Sequence, residues 1–567
     1  MRSRLLALCA LFIALFASAP RSADAQAVLG IGDDAMVLPR GALRVRVIFL
    51  STTFDDRFGK NTPGRSDGDV EPLAIDFNRE AIGVDQFQNL LPLQLGLRQL
   101  TGLSDYEVNL GRTVLDLNAT VRSLPITTEL GVTERFSIGL LVPYVWTRNE
   151  ANFLVNPVPT QANVGFNPAL GSTTAATTNQ MLVTQFTAAA AALQARITAC
   201  QANPAAEPNC PQIVAAGPGL VANSTAFAGG FQQVYLGSPL VPLTNSAADV
   251  AVRARIAALR GGYQSFGITT ITAAAPFSSS SLQLPAPLNL SDAQRILMSQ
   301  AFGIQANPLE TTTHEGVGDI ELGGKFQFLN TFGTQSRFDP PDAPMFRSAI
   351  TTVVRFGTGD NESADDFIDI GRGNGQTDIE LRSQTDMVWG RHFWGSLIAR
   401  YNVQLADHEV MRITTPDRPL APVYRRHRVK RDLGDILEVE ATPRFVFNKW
   451  FSFAGSYLFR RKAEDDYSGT FQRQNLLGQL ETLDAATLND ETEQTEHRLT
   501  AGLAISSLAA FSEGRFGFPF ELWLQRSQSV AGSGGRTPRI FQNMVSLRVY
   551  TRLFGADSPR EGQSSGS

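Results

Sequence analysis

The stretch GVGDIELGGKFQFL, residues 316–329, decides the fold. From Asp319 onward, the even positions hold apolar residues or glycine, and the odd positions hold polar residues or glycine. A period of two is the side-chain period of a β-strand. The segment is therefore predicted to be a strand with two different faces: one is apolar and ends in Phe326 and Phe328, and the other carries two acids, a lysine and an amide.

The same alternation recurs along the chain and predicts an all-β fold. Tight turns, such as TER at 133–135 and FNKW at 447–450, alternate with long polar loops. An even number of antiparallel strands with this arrangement of connections is typical of an outer-membrane protein, so we expect an antiparallel transmembrane β-barrel of about 12 strands. The predicted strands lie near residues 42–54, 112–131, 135–147, 317–330, 346–358, 377–389, 393–406, 435–447, 451–463, 496–509, 517–528 and 540–554.

A secreted β-sandwich would show the same alternation, with its apolar residues in a dry core and its polar residues in solvent. Two features favour the barrel. Aromatic residues, including Trp146, Trp389 and Trp450, gather near predicted strand ends, where membrane barrels carry interfacial girdles. The last predicted strand also carries Tyr550 and Phe554, as outer-membrane barrels commonly do, and a polar tail at 555–567 follows it.

The N-terminus carries an export signal. Arg2 and Arg4 precede an apolar run, and Ala23 and Ala25 then form the small-x-small pattern of a cleavage site. Residues 1–25 are therefore predicted to be a signal peptide, and residues 26–554 are predicted to form a barrel in the bacterial cell outer membrane, in contact with lipid and lipopolysaccharide. The net charge is −5 and basic residues form no dominant patch, which argues against a nucleic-acid partner.

Three segments resemble a known family. PRGALRVRVIF at 39–49, ELGVTERFSIGLLVPYVW at 129–146 and GVGDIELGGKFQFL at 316–329 are similar to the first strand, the early hairpin with its Val-Thr-x-Arg turn, and the GxGD strand of the outer-membrane transporters of the phenol meta-cleavage pathway. This family is related in architecture to the long-chain fatty-acid channels. The resemblance implies a twelve-strand barrel that passes hydrophobic or aromatic compounds, and it implies no catalytic residues.

The chain departs from that pattern between residues 149 and 314. The insertion contains stretches with helix-forming composition at 178–200, 246–260 and 291–302, so we expect a partly helical extracellular loop that caps or plugs the barrel. Cys200 and Cys210 are the only cysteines outside the signal peptide. In an oxidising compartment, this spacing favours a disulfide over a metal site.

No residue pattern predicts catalysis, a cofactor or a metal site. The five histidines fall in predicted turns, loops or strand ends without the partners that an outer-membrane hydrolase needs, so the chain is not expected to be an enzyme. The acidic loop at 360–378 could bind calcium through clustered oxygen atoms, but it lacks the spacing of a known calcium loop. A solvated loop is the favoured interpretation.

Charged residues at the polar strand positions form the largest candidate site. Inside a barrel they could pair across the lumen and close it, or they could line a narrow water-filled path that selects solutes. The sequence leaves both alternatives open. The predicted lumen-lining residues are Arg44, Arg46, Asp116, Arg122, Glu129, Asp319, Glu321, Lys325, Arg347, Arg355, Glu380, Arg382, Asp386, Arg400, Glu438, Glu440, Arg444, Arg498, Arg548 and Arg552.

Two further features lie between residues 90 and 131. The leucine-rich segment at 90–103 is either an amphipathic helix on the rim or a hydrophobic capture surface. Pro125 interrupts the second predicted strand, where it suits a bulge that exchanges the inward and outward positions. The candidate capture residues are Leu91, Leu93, Leu95, Leu97 and Leu100.

These patterns favour an outer-membrane channel for the passive uptake of small hydrophobic or aromatic molecules, which needs no cofactor. The alternative is a surface-exposed structural or adhesion barrel with a sealed lumen, whose large insertion binds a partner. Ion conductance would separate the two hypotheses, because only an open lumen conducts.

Overall fold

The computed structural model describes residues 33–60, 66–158, 160–277, 284–332, 343–359, 363–373 and 375–554. The predicted signal peptide and the tail at 555–567 lie outside the described residues. Twelve strands form the barrel, and the fourth is interrupted once. They are β1 Ala42–Phe54, β2 Thr113–Thr133, β3 Phe136–Val155, β4 Thr312–Val317 with Ile320–Asn330, β5 Met345–Phe356, β6 Asp378–Trp389, β7 Phe393–Gln404, β8 Ile436–Val446, β9 Phe451–Lys462, β10 Gln494–Ser506, β11 Phe520–Ser533 and β12 Phe541–Arg552.

The sheet closes on itself. Each strand pairs antiparallel with the next along the chain, and β12 returns to β1 with Val47 opposite Leu547. Closure leaves no barrel strand with an unpaired edge, so the backbone polar groups of the wall are satisfied within it. The prediction of a twelve-strand antiparallel barrel is confirmed, and every predicted strand has its counterpart.

The outer face of the barrel is apolar. Phe326, Leu381 and Leu503 are each about half exposed, as are many other apolar side chains at alternate strand positions. A continuous apolar surface of this kind is unfavourable in water, and it is the lipid-facing surface of a transmembrane barrel. Further members of this surface are Phe49, Leu322, Leu397, Phe453, Leu524 and Val545.

Pro125 does not exchange the faces of β2. It lies directly opposite Pro143 of β3, and the pairing of these two strands runs without a register shift from Thr113 to Gly131. The Pro143 carbonyl oxygen accepts from the Gly318 N–H at 3.0 Å, so Pro143 directs its backbone towards β4 and the two prolines need no hydrogen bond to each other. The odd residues of β2 therefore face inward along its whole length. Asp116 and Arg122 are exposed on the outside, and the prediction that they line the lumen is wrong.

Six α-helices occur in the described part of the chain, all outside the barrel wall. Five of them form a cap at the long-loop end, and the sixth lies in the turn between β10 and β11. No helix among the described residues is long and apolar enough to cross a membrane. The helices are α1 Leu91–Thr101, α2 Thr173–Ala202, α3 Cys210–Gln232, α4 Ala247–Ser265, α5 Leu290–Met298 and α6 Leu508–Ser512.

The predicted insertion is mostly helical, but its borders differ from the prediction. β3 continues to Val155 and β4 begins at Thr312, so both strands extend beyond the expected limits of 149 and 314. The sequence did not predict α3, which contains Pro218 and several glycines. Its position is secured by packing, because α3 lies along α2 and the predicted disulfide between Cys200 and Cys210 joins the two helices.

The cap has its own apolar core. Aromatic side chains of α2 and α3 follow one another through it, with ring centroids 5.3 Å apart for Phe186 and Phe227 and 5.9 Å apart for Phe227 and Phe231. The same cluster includes Leu115 of β2 and Phe153 of β3. Both of these residues occupy inward strand positions, so the cap packs against the inner faces of these strands.

Helix α1 supplies leucines to this core. Leu93, Leu97 and Leu100 are buried, because positions three and four apart share one face of a helix. Leu95 is exposed and Leu91 is partly buried. The five leucines therefore do not form one exposed capture surface, and that interpretation of the segment is wrong.

Candidate functional site: the barrel lumen

Ion pairs cover the inner faces of β4 to β8. Arg355 on β5 lies between Glu321 on β4 and Asp378 on β6, with N–O distances of 2.7 and 2.8 Å. Arg400 on β7 pairs with Glu440 on β8 at 2.9 Å. Each arginine is buried and meets carboxylates from its own or a neighbouring strand, so opposite charges alternate around this wall. A buried charge in such a pair is compensated by its partner for part of the hydration that it loses.

Nearer the short-turn end, Arg347 pairs with Asp386 at 2.7 Å. Arg444 instead donates to the Ser452 hydroxyl at 2.8 Å. Its guanidinium carbon lies 4.9 Å from the Trp394 ring centroid and 4.6 Å from that of Trp523, which is cation–π geometry. This end of the lumen is therefore filled by packed side chains.

The chain segment that precedes β1 lies inside the barrel. We call residues 33–38 the N-terminal segment. Lys325 Nζ donates to the carbonyl oxygen of Asp34 at 2.9 Å, and Gln327 Nε2 donates to the carbonyl oxygen of Ala35 at 2.8 Å. The segment is held by side chains of the opposite wall, near the short-turn end of the barrel.

Acidic residues of the N-terminal segment join the lumen charges. The Asp33 carboxylate lies 3.7 Å from Lys325, and the Asp34 carboxylate lies 3.8 Å from Arg44 and 3.6 Å from Arg548. The sequence analysis missed this arrangement. The signal was the pair of acids directly before a first strand whose inward positions carry arginines.

The opposite side of the lumen is apolar. Ile48 and Leu50 of β1, Leu141 of β3 and Met544 of β12 form one buried cluster. Val145 continues it towards the cap. We call this the apolar wall; its members are Ile48, Leu50, Leu115, Leu117, Val121, Leu141, Val145 and Met544. The sequence analysis expected polar residues at the inward positions and missed this wall.

Most of the predicted lumen residues are buried inside the barrel. Arg444 is partly buried, and Arg552 is exposed at the end of β12. The carboxylates of Asp378, Glu496 and Glu521 also take part but were not predicted. The buried set is Arg44, Arg46, Glu129, Asp319, Glu321, Lys325, Arg347, Arg355, Glu380, Arg382, Asp386, Arg400, Glu438, Glu440, Arg498 and Arg548.

A cavity of about 80 Å³ separates the charged side from the apolar wall. Its polar lining residues include Arg46, Lys325 and Arg382, and its apolar lining residues include Leu141 and Val353. A volume of this size holds roughly two or three water molecules. Among the described residues, no group of histidine, cysteine, aspartate and glutamate could hold a metal ion.

No protein-family model matches this chain, and no curated protein matches it. Among solved structures, the COG4313 outer membrane channel from Pseudomonas putida F1 aligns with a TM-score of 0.40 and 9% identity, over 91% of this chain and 98% of that one. The Ralstonia pickettii toluene transporter TbuX aligns with a TM-score of 0.26 and 10% identity, over 95% of both chains. The Pseudomonas putida toluene transporter TodX aligns with a TM-score of 0.24 and 8% identity, again over 95% of both. At these scores the likeness carries no argument about this chain.

Proposed function

We propose that the chain is an outer-membrane channel for the passive uptake of small hydrophobic or aromatic molecules. The observation that supports this proposal best is the apolar wall, because its Leu115 and Leu117 belong to the apolar core of the cap and its Leu141 lines the lumen cavity. Apolar solutes leave water for such a surface spontaneously. A lumen that carried only ions or sugars would gain nothing from it.

The structure represents a closed state, since the N-terminal segment and the ion pairs fill the lumen. Opening requires the segment to move. Water can replace the hydrogen bonds that Lys325 and Gln327 donate to its main-chain oxygens at a small net free energy. The ion pairs of Asp33 and Asp34 with lumen cations must also break, and they set the larger part of the cost of opening. We expect the segment to leave the lumen during transport while the paired charges of β4 to β8 stay in place.

The test measures the uptake of naphthalene, followed by its fluorescence, into liposomes that contain the purified protein. We expect faster uptake than into empty vesicles, and a further increase when residues 33–38 are deleted. The variant Val145→Thr keeps the shape of the apolar wall but adds a hydroxyl group, so it should slow uptake several-fold. Val142→Thr makes the same change on the outward face of β3 and serves as the control.

Uptake no faster than in empty vesicles, even after deletion of residues 33–38, would refute the channel. A specific observation favours a second candidate, a sealed barrel whose insertion binds a partner at the cell surface. Buried ion pairs cover the inner faces of β4 to β8, and the long-loop end of the lumen is covered by the packed cap. Planar-bilayer recordings separate the two, because a sealed barrel conducts no ions with or without the N-terminal segment.

A further inference from the structure

Arg46 differs from the other buried arginines of the lumen. It is 5% exposed, and its Nε donates to the Ser546 hydroxyl at 2.9 Å. Among the described residues, no carboxylate lies within ion-pair distance of Arg46, although Arg44, two positions away, pairs with Glu129. A buried guanidinium without an anionic partner is unfavourable, because burial removes its hydration and nothing replaces it.

The carboxylates that line the same cavity are already engaged. Glu129 pairs with Arg44, Glu321 with Arg355, and Asp33 with Lys325. Each of them would have to leave an ion pair that it already makes in order to turn towards Arg46.

Other hydrogen-bond donors at the cavity are also unsatisfied. The Thr127 hydroxyl is buried without a hydrogen-bond partner among the described residues, and Thr127 lies directly opposite Arg46 in the pairing of β1 with β2. Arg44 Nη1 and Arg548 Nε are also buried without a hydrogen-bond partner among the described residues. Arg548 is the neighbour of Arg46 on β12. All four side chains line the cavity of about 80 Å³. Side chains with unused donors therefore border one small cavity.

We propose that this cavity is a binding site for a small carboxylate, with Arg46 as its anchor. The free edge of a guanidinium offers two parallel N–H groups, which match the two oxygens of a carboxylate. Thr127 supplies a further donor to one oxygen. The cavity volume sets the size, so formate and acetate fit while an aromatic acid does not. The site is independent of the proposed uptake of hydrophobic molecules, because it rests on the polar side of the lumen.

The experiment measures heat unfolding of the purified barrel in detergent, with sodium formate replacing sodium chloride at constant ionic strength. A ligand that binds only the folded state raises the unfolding midpoint in proportion to its occupancy. We expect formate to raise the midpoint of the wild-type barrel by several degrees more than chloride does. An equal effect of the two salts would overturn the assignment to a carboxylate.

Three variants locate the effect. Arg46→Gln removes the charge and should abolish the response to formate, whereas Arg122→Gln makes the same change on the outer face and should leave it intact. A full response in Arg46→Gln would overturn the proposal. Thr127→Glu provides a built-in carboxylate beside Arg46, so this variant should unfold at a higher temperature without formate and gain nothing from it. A Thr127→Glu barrel that still responds like the wild type would also overturn it.

Discussion

Arg412 Nη1 donates to the carbonyl oxygen of Ile304 at 2.7 Å, although 108 positions separate the two residues. The same buried guanidinium donates to the carbonyl oxygens of Gln305, Ala364 and Ala421, and to the Asp365 carboxylate. One side chain thus joins the insertion, the loop at 363–373 and its own loop. Arg412 is the point at which three long connections of the cap are fixed to one another.

Replacement of Arg412 by methionine should loosen the cap without affecting the barrel. Methionine keeps the apolar stem of the side chain but leaves buried carbonyl oxygens without donors, each at a cost of about 1–3 kcal/mol. We expect limited proteolysis to cut the insertion at least tenfold faster, while the heat-unfolding midpoint of the barrel stays the same. Arg418→Met is the control, because Arg418 is exposed and pairs only with Asp417 at 3.9 Å. Equal cleavage of the two variants would contradict this role of Arg412.

The wall of the barrel could be predicted closely from sequence. Alternation such as that of Ile320, Leu322 and Phe326 is imposed by the lipid on one side and by the lumen on the other, so it is local and strict. β1, β7 and β9 begin at the predicted residues Ala42, Phe393 and Phe451. Most other strand borders differ by a few residues, except where β3 and β4 continue into the cap and are no longer limited by the membrane thickness.

The interior could not be predicted to the same extent. The inward side chains of a narrow barrel meet residues far away in sequence, as Gln327 meets Ala35 across 292 positions. The alternation along a strand identifies which side chains face inward, but it does not predict which residues each of them contacts. Leu115 and Asp116 illustrate the error. The pairing of Pro125 with Pro143 shows that Leu115 faces inward and Asp116 outward, and the sequence alone does not reveal that pairing. Helix α3 was missed for a similar reason, since α2 and the disulfide support a segment of poor helix-forming composition.

Removal of the disulfide should destabilise the cap alone. The bridge between Cys200 and Cys210 closes a loop with a sequence separation of 10, which restricts the unfolded insertion by roughly 2–3 kcal/mol. The double variant Cys200→Ser, Cys210→Ser should assemble with unchanged barrel heat stability and a protease-sensitive insertion. The Arg196–Glu207 ion pair spans the same loop but is partly exposed, so Arg196→Gln should have a much smaller effect. Detection of two free thiols in the exported protein would contradict this prediction, because no disulfide would then stabilise the cap.

The orientation of the barrel can be tested at two glycines. Gly478 lies at the tip of the hairpin formed by Thr470–Gln474 and Leu480–Asp484, and Gly390 lies in the tight turn between β6 and β7. Both have positive φ, and no atom occupies the space that a side chain would take. If the long loops face the cell exterior, an epitope inserted at Gly478 should be labelled on intact cells, and one at Gly390 only after permeabilisation. The opposite labelling pattern would reverse the proposed topology.

His427 makes the same hairpin sensitive to pH. Its ring stacks on Phe471 with centroids 4.4 Å apart, and its Nε2 lies 3.0 Å from the carbonyl oxygen of Tyr424. Burial lowers the pKa of His427, and the Arg473 charge lowers it further, although the hydrogen bond to Tyr424 opposes this shift. The hairpin is also held by the Arg425–Glu481 ion pair. While the hairpin is packed in place, the pKa of His427 lies below the ordinary value of 6.5, so a proton binds more readily once the hairpin is released. The packing is therefore most stable above pH 6.5 and weakens as the pH falls below that value.

Cysteine labelling at the hairpin tip measures this undocking. Leu476 packs so closely against Gly303 that a Cβ atom added at Gly303 would clash with the leucine side chain. A thiol at Leu476→Cys should therefore be protected while the hairpin is packed in place. We expect the maleimide reaction rate, normalised to that of an unstructured peptide thiol, to be higher at pH 5.5 than at pH 7.5. In the His427→Phe background the stacking on Phe471 remains but the ring cannot take up a proton, so the normalised rate should no longer depend on pH. A pH dependence that persists in this background would assign the effect to another group.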